Sequence, residues 1–163
     1  MAKYSLIALT LLAFLACKGK PATPPTAQNP PTFQKSDLQK LHWIEGNWKS
    51  EVSGPGFYQT YHFPSDSTLE IISYQFDGKD SSATSISTVY WKNGHLYFGP
   101  NGEWVNVLLD EKTCLFNPIR EGWHSISWTK NSFDEWTAVH KKPEFVRTIK
   151  MKRQPPLTEL LKQ

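Results

Sequence analysis

Catalysis in a small protein needs titratable or nucleophilic side chains at workable spacings, and this chain holds few of them. Its five histidines are His42, His62, His95, His124 and His140. None falls in an HExxH pattern or in the paired Cys and His spacing of a zinc site, and two cysteines, Cys17 and Cys114, cannot build a usual structural zinc centre. His62, His124 and His140 sit in strand-like stretches that a barrel can bring together, so they are the three able to converge on a metal or haem. Strand histidines with ordinary partners are the simpler account, and no cofactor is expected. His124 and Ser125 are adjacent, but neighbours on a strand face opposite ways and cannot pair as base and nucleophile. The chain has no GxSxG, no phosphate-binding glycine loop and no dinucleotide fingerprint. Glu45 with Glu51, and Asp134 with Glu135, suit turns and surface. Cys114, flanked by Thr113 and Leu115, reads as a small buried side chain rather than a nucleophile. No enzyme is expected.

What the chain has in excess is aromatic surface: 13% of residues, with seven tryptophans and six tyrosines. Such faces stack on lipids and sugars, and they also plug the ends of small barrels. Trp48, Tyr61, Tyr74, Tyr90, Trp104 and Trp128 are the candidate pocket or core aromatics. Arg147 shares strand parity with Phe145, Ile149 and Met151, and it is the candidate partner for a ligand's anionic head. The net charge is +3, from 18 basic and 15 acidic side chains, which gives no argument for nucleic acid as a partner. Lys141, Lys142, Arg147, Lys150, Lys152 and Arg153 gather near the end, and a solvated strand face is the plainest account of them.

The elements that must position these groups are short and extended. Ser36–Ile44 is a helix candidate, with Leu38 and Leu41 on one face. Strands then follow at Asn47–Val52, Phe57–Phe63, Thr68–Phe76, Ala83–Lys92 and His95–Phe98. Five more follow at Trp104–Leu109, Thr113–Phe116, Trp123–Lys130, Phe133–His140 and Phe145–Arg153. Asp77-Gly78 and Asn93-Gly94 are strong hairpin signals. With no long helical period between strands, pairing is antiparallel and sequential, and a meander avoids exposed edges best by closing. The expected fold is all-β: a single closed antiparallel barrel of ten strands. Apolar residues on both faces, as at Leu69 and Ile71 against Ile72 and Tyr74, favour a lined cavity or a covered exterior.

Met1–Ala16 has the parts of a secretory signal: Lys3, then an apolar run from Leu6 to Leu15 that is too short for a membrane span of about 20 residues. Phe14-Leu15-Ala16-Cys17 resembles the lipobox of bacterial lipoproteins. That resemblance implies cleavage before Cys17 and a diacylglycerol thioether on its sulfur. Two or three acyl chains anchor firmly, at about 0.8 kcal/mol per buried CH2. An ordinary secreted protein, an uncleaved anchor and a Cys17–Cys114 disulfide are the alternatives. Residues 17–35 are expected to be a lipidated cysteine and a disordered, Pro-rich spacer. The barrel domain is expected over 36–153 and a tail over 154–163, with a helical turn at Leu157–Lys162. Lys18 is not the aspartate that retains lipoproteins at the inner membrane of enteric bacteria, so the outer membrane is favoured.

Trp43-Ile44-Glu45-Gly46-Asn47-Trp48 resembles the opening Trp-Leu-x-Gly-x-Trp of the DUF6265 group of bacterial lipocalin-like domains. Phe116-Asn117-Pro118, followed by Ile126 and Trp128, resembles that group's later motif. The chain has Arg120-Glu121 where the group has His-Asp, and Gly122-Trp123 where it has Phe-Pro. The resemblance spans Leu41–Arg153 and implies a small calycin-type barrel with an internal pocket, without an activity to lend. The combined expectation is a monomeric, membrane-anchored lipoprotein whose barrel binds a small apolar or amphipathic ligand without catalysis. A cell-envelope interaction module with a solid barrel and a pocket enzyme are the alternatives.

Overall fold

Ten short strands hydrogen-bond in chain order, and the last returns to pair with the first. The computed structural model describes residues 26–51, 56–76 and 81–156. The signal segment, Cys17, the spacer before residue 26, the Asp77-Gly78 turn and the turn expected at Leu157–Lys162 lie outside the described residues. A 3₁₀ helix, Lys35–Ile44, precedes β1 (Gly46–Ser50), β2 (Gly56–Ser65), β3 (Thr68–Phe76), β4 (Ser81–Lys92) and β5 (His95–Phe98). Then come β6 (Trp104–Leu109), β7 (Thr113–Pro118), β8 (Ser125–Lys130), β9 (Glu135–Lys142) and β10 (Phe145–Gln154). All pairings are antiparallel, and the sheet closes as a barrel through β1 and β10, with Trp48 opposite Arg153 and Ser50 opposite Met151. Closure removes every sheet edge.

Local chemistry accounts for the turns. Asn93 and Gly94 both have positive φ, at 50° and 84°, as the tight β4–β5 hairpin demands. Pro118 ends β7 opposite Trp104, where the strand no longer needs its missing N–H. The helix is 3₁₀ rather than α for a reason visible in its spacing. Leu38, Leu41 and Ile44 recur every three residues, so a threefold helix lines all three along one edge. All three are fully buried and join the barrel core.

The helix closes the end of the barrel where β1 begins. Trp48 donates its indole N–H to the Ile44 carbonyl at 2.6 Å. Arg153 donates to three carbonyls there: Glu45 (2.9 Å), Phe133 (3.1 Å) and Trp43 (3.3 Å). Its guanidinium also lies over the Trp48 ring, 4.2 Å from the centroid. Gly46 makes room for it: its φ is +118°, and a Cβ there would stand 2.6 Å from Arg153 Nη1. Pro31–Phe33, which composition assigns to the spacer, lies against the β4–β5 hairpin. Phe33 N–H donates to the Gly94 carbonyl, Trp91 Nε1–H to the Phe33 carbonyl, and His95 Nδ1–H to the Pro31 carbonyl, at 2.8–3.0 Å.

Arg153→Met removes a charged donor from three carbonyls and a ring face, so urea unfolding should show a loss of about 2–3 kcal/mol. Lys150→Met, on the outer face of the same strand, should stay within about 0.5 kcal/mol. Equal midpoints for the two variants would remove Arg153 from the closure.

Candidate functional site

Strand alternation sends every second side chain inward, and in the half of the barrel away from the helix those side chains do not meet. They leave a cavity of about 290 Å³. Its residues come from eight of the ten strands, and those at its outer end, Phe57, His140 and Arg147, lie at the start of β2, the end of β9 and the start of β10, opposite the closed end. That volume suits a ligand of about ten non-hydrogen atoms, taking roughly 30 Å³ for each. The aromatic wall is Phe57, Tyr61, Phe98, Trp128 and Trp136; Ile71, Ile126, Ile149 and Met151 supply aliphatic surface.

The wall is stiff because its rings brace one another. Tyr61 stands edge-on to Trp128 (6.0 Å, 90°) and to Trp136 (5.7 Å, 86°). Trp128 contacts Phe98 and Phe116 at 5.4 and 5.3 Å, and Trp136 meets Trp48 at 6.1 Å. Full burial pushes the Tyr61 phenol well above its ordinary pKa. It therefore donates as a neutral hydroxyl, to Gln59 Oε1 at 2.7 Å, while Gln59 Nε2 donates to Ser73 Oγ at 3.1 Å. Ser50 Oγ and Trp136 Nε1, both buried in cavity-lining residues, have no hydrogen-bond partner among the described residues. Each such orphan costs on the order of 1–3 kcal/mol.

Polar groups gather at the mouth. Arg147 and His140 are cross-strand partners on β10 and β9, and His140 is the partner of Ile126 on β8. His140 Nδ1 lies 2.9 Å from His124 Nε2. Burial, then the neighbouring His124 and Arg147, push the His140 pKa down from 6.5 to about 4. Burial and then Lys142 lower that of His124 as well. Both imidazoles are therefore uncharged near pH 7, and one donates to the other. Arg147 has no hydrogen bond or ion pair among the described residues, whereas Lys142 is held by Glu144 at 3.1 Å.

Of the aromatics singled out in the sequence, Tyr61 and Trp128 line the cavity, and so does Arg147. Trp48 lies beyond Trp136 toward the closed end. Trp104 sits at the rim, where it donates to the His124 carbonyl at 2.8 Å and packs on Phe98 and Trp123. Tyr74 and Tyr90 are on the outer face: Tyr74 stacks on Tyr58 (6.1 Å, 4°) and Tyr90 on Tyr97 (5.7 Å, 27°). Inward Ile71 and Val89 set that parity, since each tyrosine is an odd number of residues away. Gln59, Ser87 and Ser50 were not among the sequence candidates, although Gln59 is two residues from Tyr61 and shares its face. His124 and His140 do meet; His62 does not join them, and pairs outside the barrel with Glu70 at 3.2 Å.

Among the described residues no group of three or more His, Cys, Asp or Glu could hold a metal ion, and no serine, threonine or cysteine side chain hydrogen-bonds either mouth histidine. Cys114 is a fully buried free thiol, and burial pushes its pKa far up. A second hollow, of about 350 Å³, lies outside the closed end between Gln39, His42, Glu111 and Lys130. Its lining is mostly charged and polar, and it lacks the apolar walls that retain a small molecule. No protein-family model matches the chain, and no curated protein matches it in sequence.

The depressed pKa of His140 has a stability consequence. Below pH 6.5 the unfolded chain takes up a proton on this ring that the fold refuses until about pH 4. Its contribution is complete above pH 6.5 and is lost as the pH falls through that window. His140→Asn should therefore lose less of its urea midpoint between pH 7 and pH 4 than the parent protein. Parallel pH profiles would contradict it.

Proposed function

We propose that this protein is a lipid-anchored lipoprotein of the bacterial cell envelope whose lipocalin-like barrel carries a small amphipathic ligand without transforming it. The observation that carries the reading is the 290 Å³ cavity, apolar along its wall and with Arg147 free of any ion pair among the described residues at its mouth. An apolar body lies against Trp128, Phe98 and Ile149, and an anionic head meets Arg147. Burying each CH2 contributes about 0.8 kcal/mol. The orphaned Ser50 and Trp136 polar atoms also support a barrel that was not selected as a solid core. The non-catalytic reading rests on the sequence, which holds no GxSxG, no phosphate-binding glycine loop and no dinucleotide fingerprint. The anchor rests on Cys17 and its lipobox-like surroundings, and with it a position in the envelope, the outer membrane being favoured, as a monomer.

One observation favours an interaction surface as a second reading. Trp123, in the loop before β8, and Phe145 and Val146, at the start of β10, are exposed around the mouth. Surface docking makes no use of the cavity behind them, and so ranks second.

The full chain with Cys17→Ser, recovered from a bacterial periplasm without refolding, tests the carrier directly by native mass spectrometry. A reproducible bound mass, released by octanoate, is expected. A clean apo mass, persisting after incubation with a membrane lipid extract, would transfer the reading to the exposed rim. Labelled palmitate should be incorporated by the parent chain and not by Cys17→Ser; equal labelling would remove the anchor.

A further inference from the structure

His140 is engaged on one side and open on the other. Its Nδ1 is 2.9 Å from His124 Nε2, and its Nε2 forms no hydrogen bond among the described residues, although the residue lines the cavity. Its cross-strand partner is Arg147, so the two Cα atoms are about 5 Å apart and both side chains face the mouth. A neutral imidazole carries one ring proton, and the partner of one nitrogen decides what the other presents. When His124 Nε2–H donates to His140 Nδ1, the His140 proton resides on Nε2 and a donor faces the cavity. The reverse arrangement presents an acceptor. Lys142, beside His124 and held by Glu144, and Arg147, beside His140, disfavour charging the pair. Trp104 fixes the backbone of His124 through its carbonyl and packs its ring at 5.7 Å. The pair is thus a neutral, braced unit that an arriving anion sets to the donor form.

We infer that the mouth is a carboxylate site, in which Arg147 takes one oxygen, His140 Nε2–H takes the other, and His124 is the positioning residue that keeps the proton there. The inference rests on the carrier reading and specifies its ligand class: a medium-chain carboxylate of about ten non-hydrogen atoms, with its chain among Ile126, Phe98 and Ile149. Two donors on adjacent strands match a planar pair of oxygens, whereas an alcohol satisfies one at most.

Calorimetric titration of the full-length Cys17→Ser chain with octanoate, octanol and octyl sulfate tests this. Octanoate should bind tighter than octanol by about tenfold or more. Arg147→Met and His140→Asn should each abolish that preference while octanol affinity stays within about twofold, which also reports an intact cavity. His124→Leu should abolish it too. His124→Gln, whose amide nitrogen takes the place of Nε2 and still donates, should keep most of it. Octanol or octyl sulfate binding as tightly as octanoate, or His124→Leu discriminating like the parent, would overturn the carboxylate site and leave the carrier reading standing. Binding of none of the three probes would defeat both.

Discussion

The barrel depends on one cation held at its closed end. Arg153 lies on the last strand, and its three acceptors are the carbonyls of Trp43 and Glu45 before β1 and of Phe133 before β9. A single guanidinium therefore ties the two ends of the meander to each other and to the loop that leads into the penultimate strand. Its face rests on Trp48, whose own N–H is spent on the helix carbonyl of Ile44. Charge-assisted donors suit this task, because carbonyls at a helix end and in loops have no ladder partner. The constraint reaches back to Gly46, where only a residue without Cβ leaves space for the guanidinium.

Closing one end that firmly lets the other remain unfilled. The helix residues Leu38, Leu41 and Ile44 pack the closed half to zero exposure, and the braced rings of Trp136, Tyr61 and Trp128 carry that packing to mid-barrel. Beyond them the inward side chains become shorter or polar: Ala138, Ser87, Gln59, then His140 and Arg147. A cavity survives there because the walls are aromatic and cannot collapse without breaking their own contacts. Its orphaned polar atoms are a cost that the closed end offsets.

The mouth combines a fixed charge with a neutral, proton-carrying pair. Burial keeps His140 uncharged, and Arg147 beside it reinforces that state. The result is one permanent cation and one adaptable hydrogen-bonding group on neighbouring strands. The proposed carboxylate site draws on both, the charge of Arg147 and the geometry of two donors on neighbouring strands.

Much of this was legible from the chain alone. Alternation, Asn93-Gly94 and the absence of any helical period determine ten antiparallel strands and a closed meander, because those signals are local and act within a few residues. The Leu38, Leu41, Ile44 spacing marks a helix, although its threefold character emerges only where all three must enter one core. The lipobox-like segment at Cys17 belongs wholly to the sequence, since its meaning does not depend on the fold. The interior does depend on it. Period-two alternation says that Tyr74 and Tyr90 oppose their neighbours, but not which side is the inside, and closure sends both outward while it turns Gln59 and His140 in. The meeting of His124 with His140, and the exclusion of His62, needed the register of β8 against β9. Residues 16 apart in sequence acquire a 2.9 Å contact only when strand pairing sets the register.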